Sequence, residues 1–161
     1  MSKIILVCGA RGKGKTTFVK ARIKNVNKQA LHLFDINNEY KEFYTQKFND
    51  DFEAFAADAK KMSNAVIVYE EATIFLSTSG SNVDVRSALV RSRHTNNTIF
   101  FVFHSISDIP RWVYRLANVL ILFKTNDDIS NIKFNDKKLI ECWRRVNTND
   151  DDHYFERFDI N

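Results

Sequence analysis

Five short apolar runs recur along the chain, and most are far enough apart to hold a helix between them. They are Ile4-Ile5-Leu6-Val7-Cys8, Leu31-His32-Leu33-Phe34, Ala65-Val66-Ile67-Val68-Tyr69, Thr98-Ile99-Phe100-Phe101-Val102-Phe103 and Asn118-Val119-Leu120-Ile121-Leu122-Phe123. The third is β-branched and apolar at consecutive positions, the pattern of a strand covered on both faces in a parallel sheet. Spacing predicts helices over residues 17–26, 49–62, 83–94 and 137–146. Within 49–62, Phe52, Phe55, Ala56, Ala59 and Met62 share one face, Asp50 and Asp51 suit the positive end of the first turn, and Lys60 and Lys61 the last. Pro110 opens a further short helix through Leu116, because proline fits the first helical turn. Residues 35–40 and 77–82 read as loops. After the acidic Asp150-Asp151-Asp152, the alternation of His153-Tyr154-Phe155-Glu156-Arg157-Phe158 predicts an antiparallel edge strand.

Strands separated by helices imply parallel βαβ units, hence an α/β fold with a mainly parallel central sheet and helices on both faces. With 161 residues, one proline and four glycines, the chain leaves little room for a linker, and residues 1–161 read as a single domain. No apolar run reaches the length of a membrane span and no signal-peptide pattern opens the chain, so a cytoplasmic protein without membrane insertion is expected. Cys8 and Cys142 fit no metal-ligand spacing. A net charge of +4 and a pI near 9.1 are compatible with contact to a nucleic-acid backbone, and equally with a solvated surface carrying a mild lysine excess. The fourteen phenylalanines fall mostly in strands and on apolar helix faces, as core residues do.

The first strand runs directly into Gly9-Ala10-Arg11-Gly12-Lys13-Gly14-Lys15-Thr16-Thr17. Gly, four residues, Gly, Lys, Ser/Thr between a strand and a helix is the phosphate-binding loop. Its backbone N–H groups turn inward around an anion, and the helix that follows adds its positive end. Lys15 reaches the β- and γ-phosphates, and the Thr16 hydroxyl is placed to ligate Mg²⁺. ATP and Mg²⁺ are therefore the expected cofactors.

Ligands in such sheets lie at the carboxyl ends of the strands, and polar residues follow the strands there. The third strand ends in Tyr69-Glu70-Glu71. In that position Glu70 supports the Mg²⁺ water shell, and Glu71 is the expected general base for water attacking the γ-phosphate. His104, after the fourth strand, is placed to sense the γ-phosphate. Arg91 and Arg93 close the helix before that strand, where they either offset the helix dipole or reach a neighbouring subunit's γ-phosphate. Arg111 and Arg115 are further candidates for a subunit boundary or a DNA contact.

Taken together, residues 9–17, Asp35-Ile36-Asn37-Asn38-Glu39-Tyr40, the strand ending in Glu70-Glu71, and Arg91-Ser92-Arg93-His94-Thr95-Asn96-Asn97 leading to Phe103-His104-Ser105 resemble the HerA–FtsK superfamily. The nearest flavour is that of viral and phage genome-packaging ATPases, with Zot-like phage assembly proteins nearby. The family's loop after the second strand often has Gly where this chain has Asn38, which still visits the left-handed region. His104 stands where the family usually has Gln. Covering residues 3–123, the resemblance implies a three-layer P-loop NTPase fold of the ASCE, RecA-like type, with the fourth strand between the phosphate-loop strand and the Glu-bearing one. It further implies a pentameric or hexameric homo-oligomeric ring, ATP at subunit interfaces, an arginine supplied in trans, double-stranded DNA as partner, and capsid or portal vertex proteins alongside.

The leading expectation is an ATP-hydrolysing translocase subunit of a packaging motor, in the host cytoplasm or associated with the virion. Residues 77–84 are a candidate for the pore-facing loop. Two alternatives stand beside it: a Zot-like assembly protein that binds ATP with little turnover, and a small P-loop kinase, against which the paired carboxylates argue.

Overall fold

A computed structural model of the chain describes residues 2–43, 51–76, 82–132, 134 and 136–160. Its central sheet has six strands: β1 (Lys3–Cys8), β2 (Leu31–Phe34), β3 (Val66–Tyr69), β4 (Thr98–Phe103), β5 (Val119–Phe123) and β6 (Phe155–Asp159). They lie in the order β2-β3-β4-β1-β5-β6, all neighbours parallel except β5 and β6. The expected antiparallel edge strand is thus present, and β4 separates β1 from β3 as the resemblance implied.

Among the described residues six α-helices connect or flank the strands: α1 (Lys15–Ile23), α2 (Phe52–Ala59), α3 (Ala72–Leu76), α4 (Val83–Thr95), α5 (Arg111–Leu116) and α6 (Lys137–Thr148). Two starts differ from the periodicity. α1 begins at Lys15 because Gly14, at φ 99°, ends the loop, and α2 begins at Phe52 because the Asp51 carboxylate accepts the Ala54 N–H at 2.9 Å; Asn49 and Asp50 of the expected helix lie outside the described residues. α2 ends at Ala59, so Lys60 caps it rather than lying in its last turn, and its ammonium pairs with Asp84 at the start of α4. α3 was not expected, since five residues directly after a strand are too few to show a period. Residues 77–81 of the candidate pore loop lie outside the described residues. Of the rest of that stretch, Asn82 caps α4 through the Val85 N–H and Val83 and Asp84 begin the helix.

The two faces of the sheet are covered unequally. Leu6, Cys8, Ile67, Tyr69, Phe101, Phe103 and Leu122 pack under α2, α4, α5 and α6, through Phe55, Leu89, Val113, Leu139 and Cys142 among others. The opposite face, with Val7, Val68, Val102 and Ile121, is covered by Val19 and Ile23 of α1 and by Tyr40 from the loop after β2. Burying each such aliphatic or aromatic side chain contributes roughly 1.5–3 kcal/mol. With strands sandwiched this way, consecutive apolar residues are required, which explains the unbroken Thr98–Phe103 run. Among the described residues, no helix is long and apolar enough to cross a membrane.

Register aligns the strand ends. Cys8 pairs with Phe103 and Leu122, Phe34 with Tyr69, and Tyr69 with Phe101. The segments after β1, β2, β3 and β4 therefore emerge along one edge of the sheet.

Candidate nucleotide site

The phosphate loop is fastened at its start by its neighbours. The Gly9 N–H donates to Phe103 O at 3.1 Å and the Ala10 N–H to Lys124 O at 2.7 Å, tying the loop to the ends of β4 and β5. A Cβ on Gly9 would stand 2.5 Å from Phe123 Cβ, so only glycine permits this approach. Gly14 turns the chain into α1 with a left-handed φ and no side chain caps the helix, leaving its first N–H groups for an anion. Lys15 is buried, its Nζ donating to Ala10 O at 3.0 Å. Burial pulls its pKa down, and the nearby Glu70 is the strongest opposing influence.

The loop after β2 crosses in front of it. Both oxygens of the buried Asp35 accept backbone N–H groups, from Glu39 at 3.0 Å and Tyr40 at 2.8 Å, and Asn38 takes a left-handed φ of 56°. This turn delivers three side chains. Glu39 Oε2 accepts the Thr16 hydroxyl at 2.6 Å, Tyr40 donates its hydroxyl to Glu70 Oε2 at 2.6 Å, and Asn37 Nδ2 donates to Glu71 Oε1 at 3.0 Å. None of these three was singled out as a site residue from the sequence, although all lie in the segment that carried the family resemblance.

The paired carboxylates occupy different environments. Glu70 is buried, which pushes its pKa up to about 7 despite the Tyr40 hydrogen bond that favours its ionised form. Glu71 adopts a left-handed φ of 56°, an uncommon conformation for a residue with a Cβ, and its carbonyl accepts the Ile74 N–H as α3 begins. Its carboxylate meets His104 Nε2 at 2.6 Å. The His104 backbone N–H donates to Thr73 Oγ1 at 3.0 Å, which fixes the ring's base against α3. Glu71 is therefore gripped from both sides, by Asn37 and His104, at the rim of the phosphate pocket.

That pocket has a volume of about 1400 Å³ and is walled by the phosphate loop and α1, by Asn37, Glu39, Glu70, Glu71 and His104, and by His153 and Phe155 before and on β6. The C-terminal segment also reaches the loop through charge, since Asp152 pairs with Lys13 at 2.9 Å and Lys124 at 3.3 Å. Arg11 and Thr17 line the pocket and are exposed. Arg91 and Arg93 do not line it. They are exposed on the last turns of α4, which lead into the start of β4 at the opposite edge of the sheet. Arg111 and Arg115 lie on α5, also outside the pocket lining.

The donors fit Mg²⁺ in kind. The Thr16 hydroxyl beside the Glu39 carboxylate, with Glu70 lining the same pocket, supplies hard oxygens. This suits an ion held by one or two protein oxygens plus substrate phosphates.

The family model described as "ATPase family associated with various cellular activities (AAA)" matches residues 5–139. No curated protein sequence matches the chain. Among solved structures, the genome packaging NTPase of Sulfolobus turreted icosahedral virus 2 in complex with sulfate aligns with a TM-score of 0.77 at 19% identity, covering 99% of this chain and 92% of that one. The same protein in complex with AMP aligns at 0.75 and 20%, over 99% and 93%. The N-terminal domain of zonular occludens toxin from Neisseria meningitidis aligns at 0.58 and 13%, over 98% and 94%. At such identities these are likenesses of fold. The match over residues 5–139 carries more: the chain belongs to the AAA family of P-loop ATPases and uses ATP and Mg²⁺.

Proposed function

We propose that the chain is one subunit of a ring-shaped motor that couples ATP hydrolysis to movement of double-stranded DNA, in viral genome packaging. The observation that carries the hydrolytic part is the grip on Glu71 by His104 and Asn37, at 2.6 and 3.0 Å. A carboxylate held at the pocket rim, close to a buried lysine, is placed to take a proton from water attacking the γ-phosphate. ADP then leaves with its bridging oxygen stabilised by Lys15 and by the N–H groups at the start of α1. When bound, Mg²⁺ neutralises charge on the β- and γ-phosphates; Thr16, Glu39 and Glu70 are the residues that would hold it or its waters. The distant position of Arg91 and Arg93 agrees with a role toward another subunit rather than toward their own pocket. Packaging as the process is supported by the fold shared with the viral packaging NTPase, and places the protein in the host cytoplasm or on the virion, beside capsid or portal proteins.

A second reading is a Zot-like assembly role in which ATP is bound and turned over slowly; the fold likeness to the zonular occludens toxin domain favours it. Turnover with and without DNA separates the two. Stimulation by double-stranded DNA supports the motor, whereas ATP binding with DNA-independent, minimal turnover supports the assembly role.

A further inference from the structure

The pocket continues past the phosphate loop. Leading away from Glu71 and His104, it runs between α1 and β6, and its wall changes from polar to aromatic, with Phe18, Arg22, His153 and Phe155. Phe155 is 39% exposed although two rings support it, Phe18 with centroids 5.2 Å away edge-on and Phe123 at 5.0 Å. The Arg22 guanidinium sits 4.9 Å from the Phe18 ring centroid. The turn before β6 is itself held, by the His153 N–H on Asp151 and by Asp152 on Lys13 and Lys124. The three carboxylates lining the pocket, Glu39, Glu70 and Glu71, belong to its other end.

We infer that Phe155, backed by Phe18 and flanked by Arg22, is the platform on which the purine base of the bound nucleoside triphosphate stacks, an inference that rests on the nucleotide reading of the phosphate loop. A triphosphate with its γ end at Glu71 and its β end at the start of α1 directs ribose and base away from β3 and β4, toward β5 and β6. The aromatic face and the neighbouring cation attract either purine base through its π-system, and stacking of this kind does not distinguish one purine from the other. The site therefore binds adenine and guanine nucleotides alike.

The test is calorimetric binding of ATP, GTP and inorganic tripolyphosphate, with Mg²⁺, to the full chain and to its Phe155→Ala and Phe155→Tyr variants. Phe155→Ala is expected to weaken ATP and GTP about tenfold each while tripolyphosphate is unchanged, and Phe155→Tyr to restore both nucleotides. Tripolyphosphate binding to the wild type as tightly as ATP would overturn the base platform and leave the phosphate site standing. An equal loss of tripolyphosphate in Phe155→Ala would also overturn it, by making Phe155 a structural residue. A wild type that binds none of the three ligands would overturn the nucleotide reading as well.

Discussion

His104 Nε2 lies 2.6 Å from Glu71 Oε2, although the two residues follow different strands, β4 and β3. Neither strand need touch the phosphate loop for this to matter. β4 does adjoin β1, and β3 adjoins β4, so the contact passes from the loop's neighbour to the carboxylate at the rim. On the proposed hydrolytic reading, this contact makes His104 a positioning residue that orients Glu71, in addition to the γ-phosphate sensing expected of it from the sequence.

Glu71→Gln keeps the side chain's shape and its bond from Asn37 but cannot take a proton. Turnover is expected to fall by about 10²–10⁴-fold while ATP binding persists. Single-turnover hydrolysis together with calorimetric ATP affinity checks this; unchanged turnover would remove Glu71 as the base.

His104→Ala frees Glu71 from one of its two partners. The expected result is a drop in kcat of roughly tenfold or more with little change in KM, since a displaced group loses orientation rather than substrate. His104→Gln, which retains a side chain able to hydrogen-bond Glu71, should recover much of the rate. A KM effect of the same size, or no rescue by Gln, would point to damaged structure instead.

Glu70 links protonation to stability. Its folded pKa, raised to about 7 mainly by burial, lies above the ordinary carboxylate value of 4.5. The folded state therefore binds the proton more tightly, and the stability this provides is full below pH 4.5 and lost as pH rises through 7. Glu70→Gln, which can still accept the Tyr40 hydroxyl, is expected to stabilise the nucleotide- and metal-free protein by about 3 kcal/mol at pH 8 relative to wild type, with the difference vanishing toward pH 4.5. Urea denaturation across that range measures it.

Gly9→Ala introduces a Cβ that would stand 2.5 Å from Phe123 Cβ. Relieving that overlap requires the loop or the end of β5 to move, at a cost of about 1–3 kcal/mol. A melting temperature lower by several degrees, with weakened ATP binding, is the expected outcome. A variant as stable and as tight as wild type would show that the loop tolerates displacement from β5.

Much of the layout was legible in the sequence because buried parallel strands demand unbroken apolar runs, and the phosphate loop has its own spacing. Val66–Tyr69 and Thr98–Phe103 needed nothing more. The strand order did not follow from periodicity; it came with the family resemblance, because the position of β4 between β1 and β3 depends on packing across the whole sheet. α3 was hidden by its shortness. Glu39 and Tyr40 carry no spacing signal toward Thr16 and Glu70, which are 23 and 30 residues away along the chain, and only the Asp35-held turn brings them together. The same holds for Asp152 and Phe155, whose approach to the phosphate loop follows from β6 pairing with β5.

The most direct measurement is steady-state ATP hydrolysis over a range of protein concentrations, with and without double-stranded DNA. A ring motor whose sites are completed by neighbouring subunits predicts a rate per subunit that rises with protein concentration and rises again with DNA. A rate per subunit that stays flat in both would contradict it.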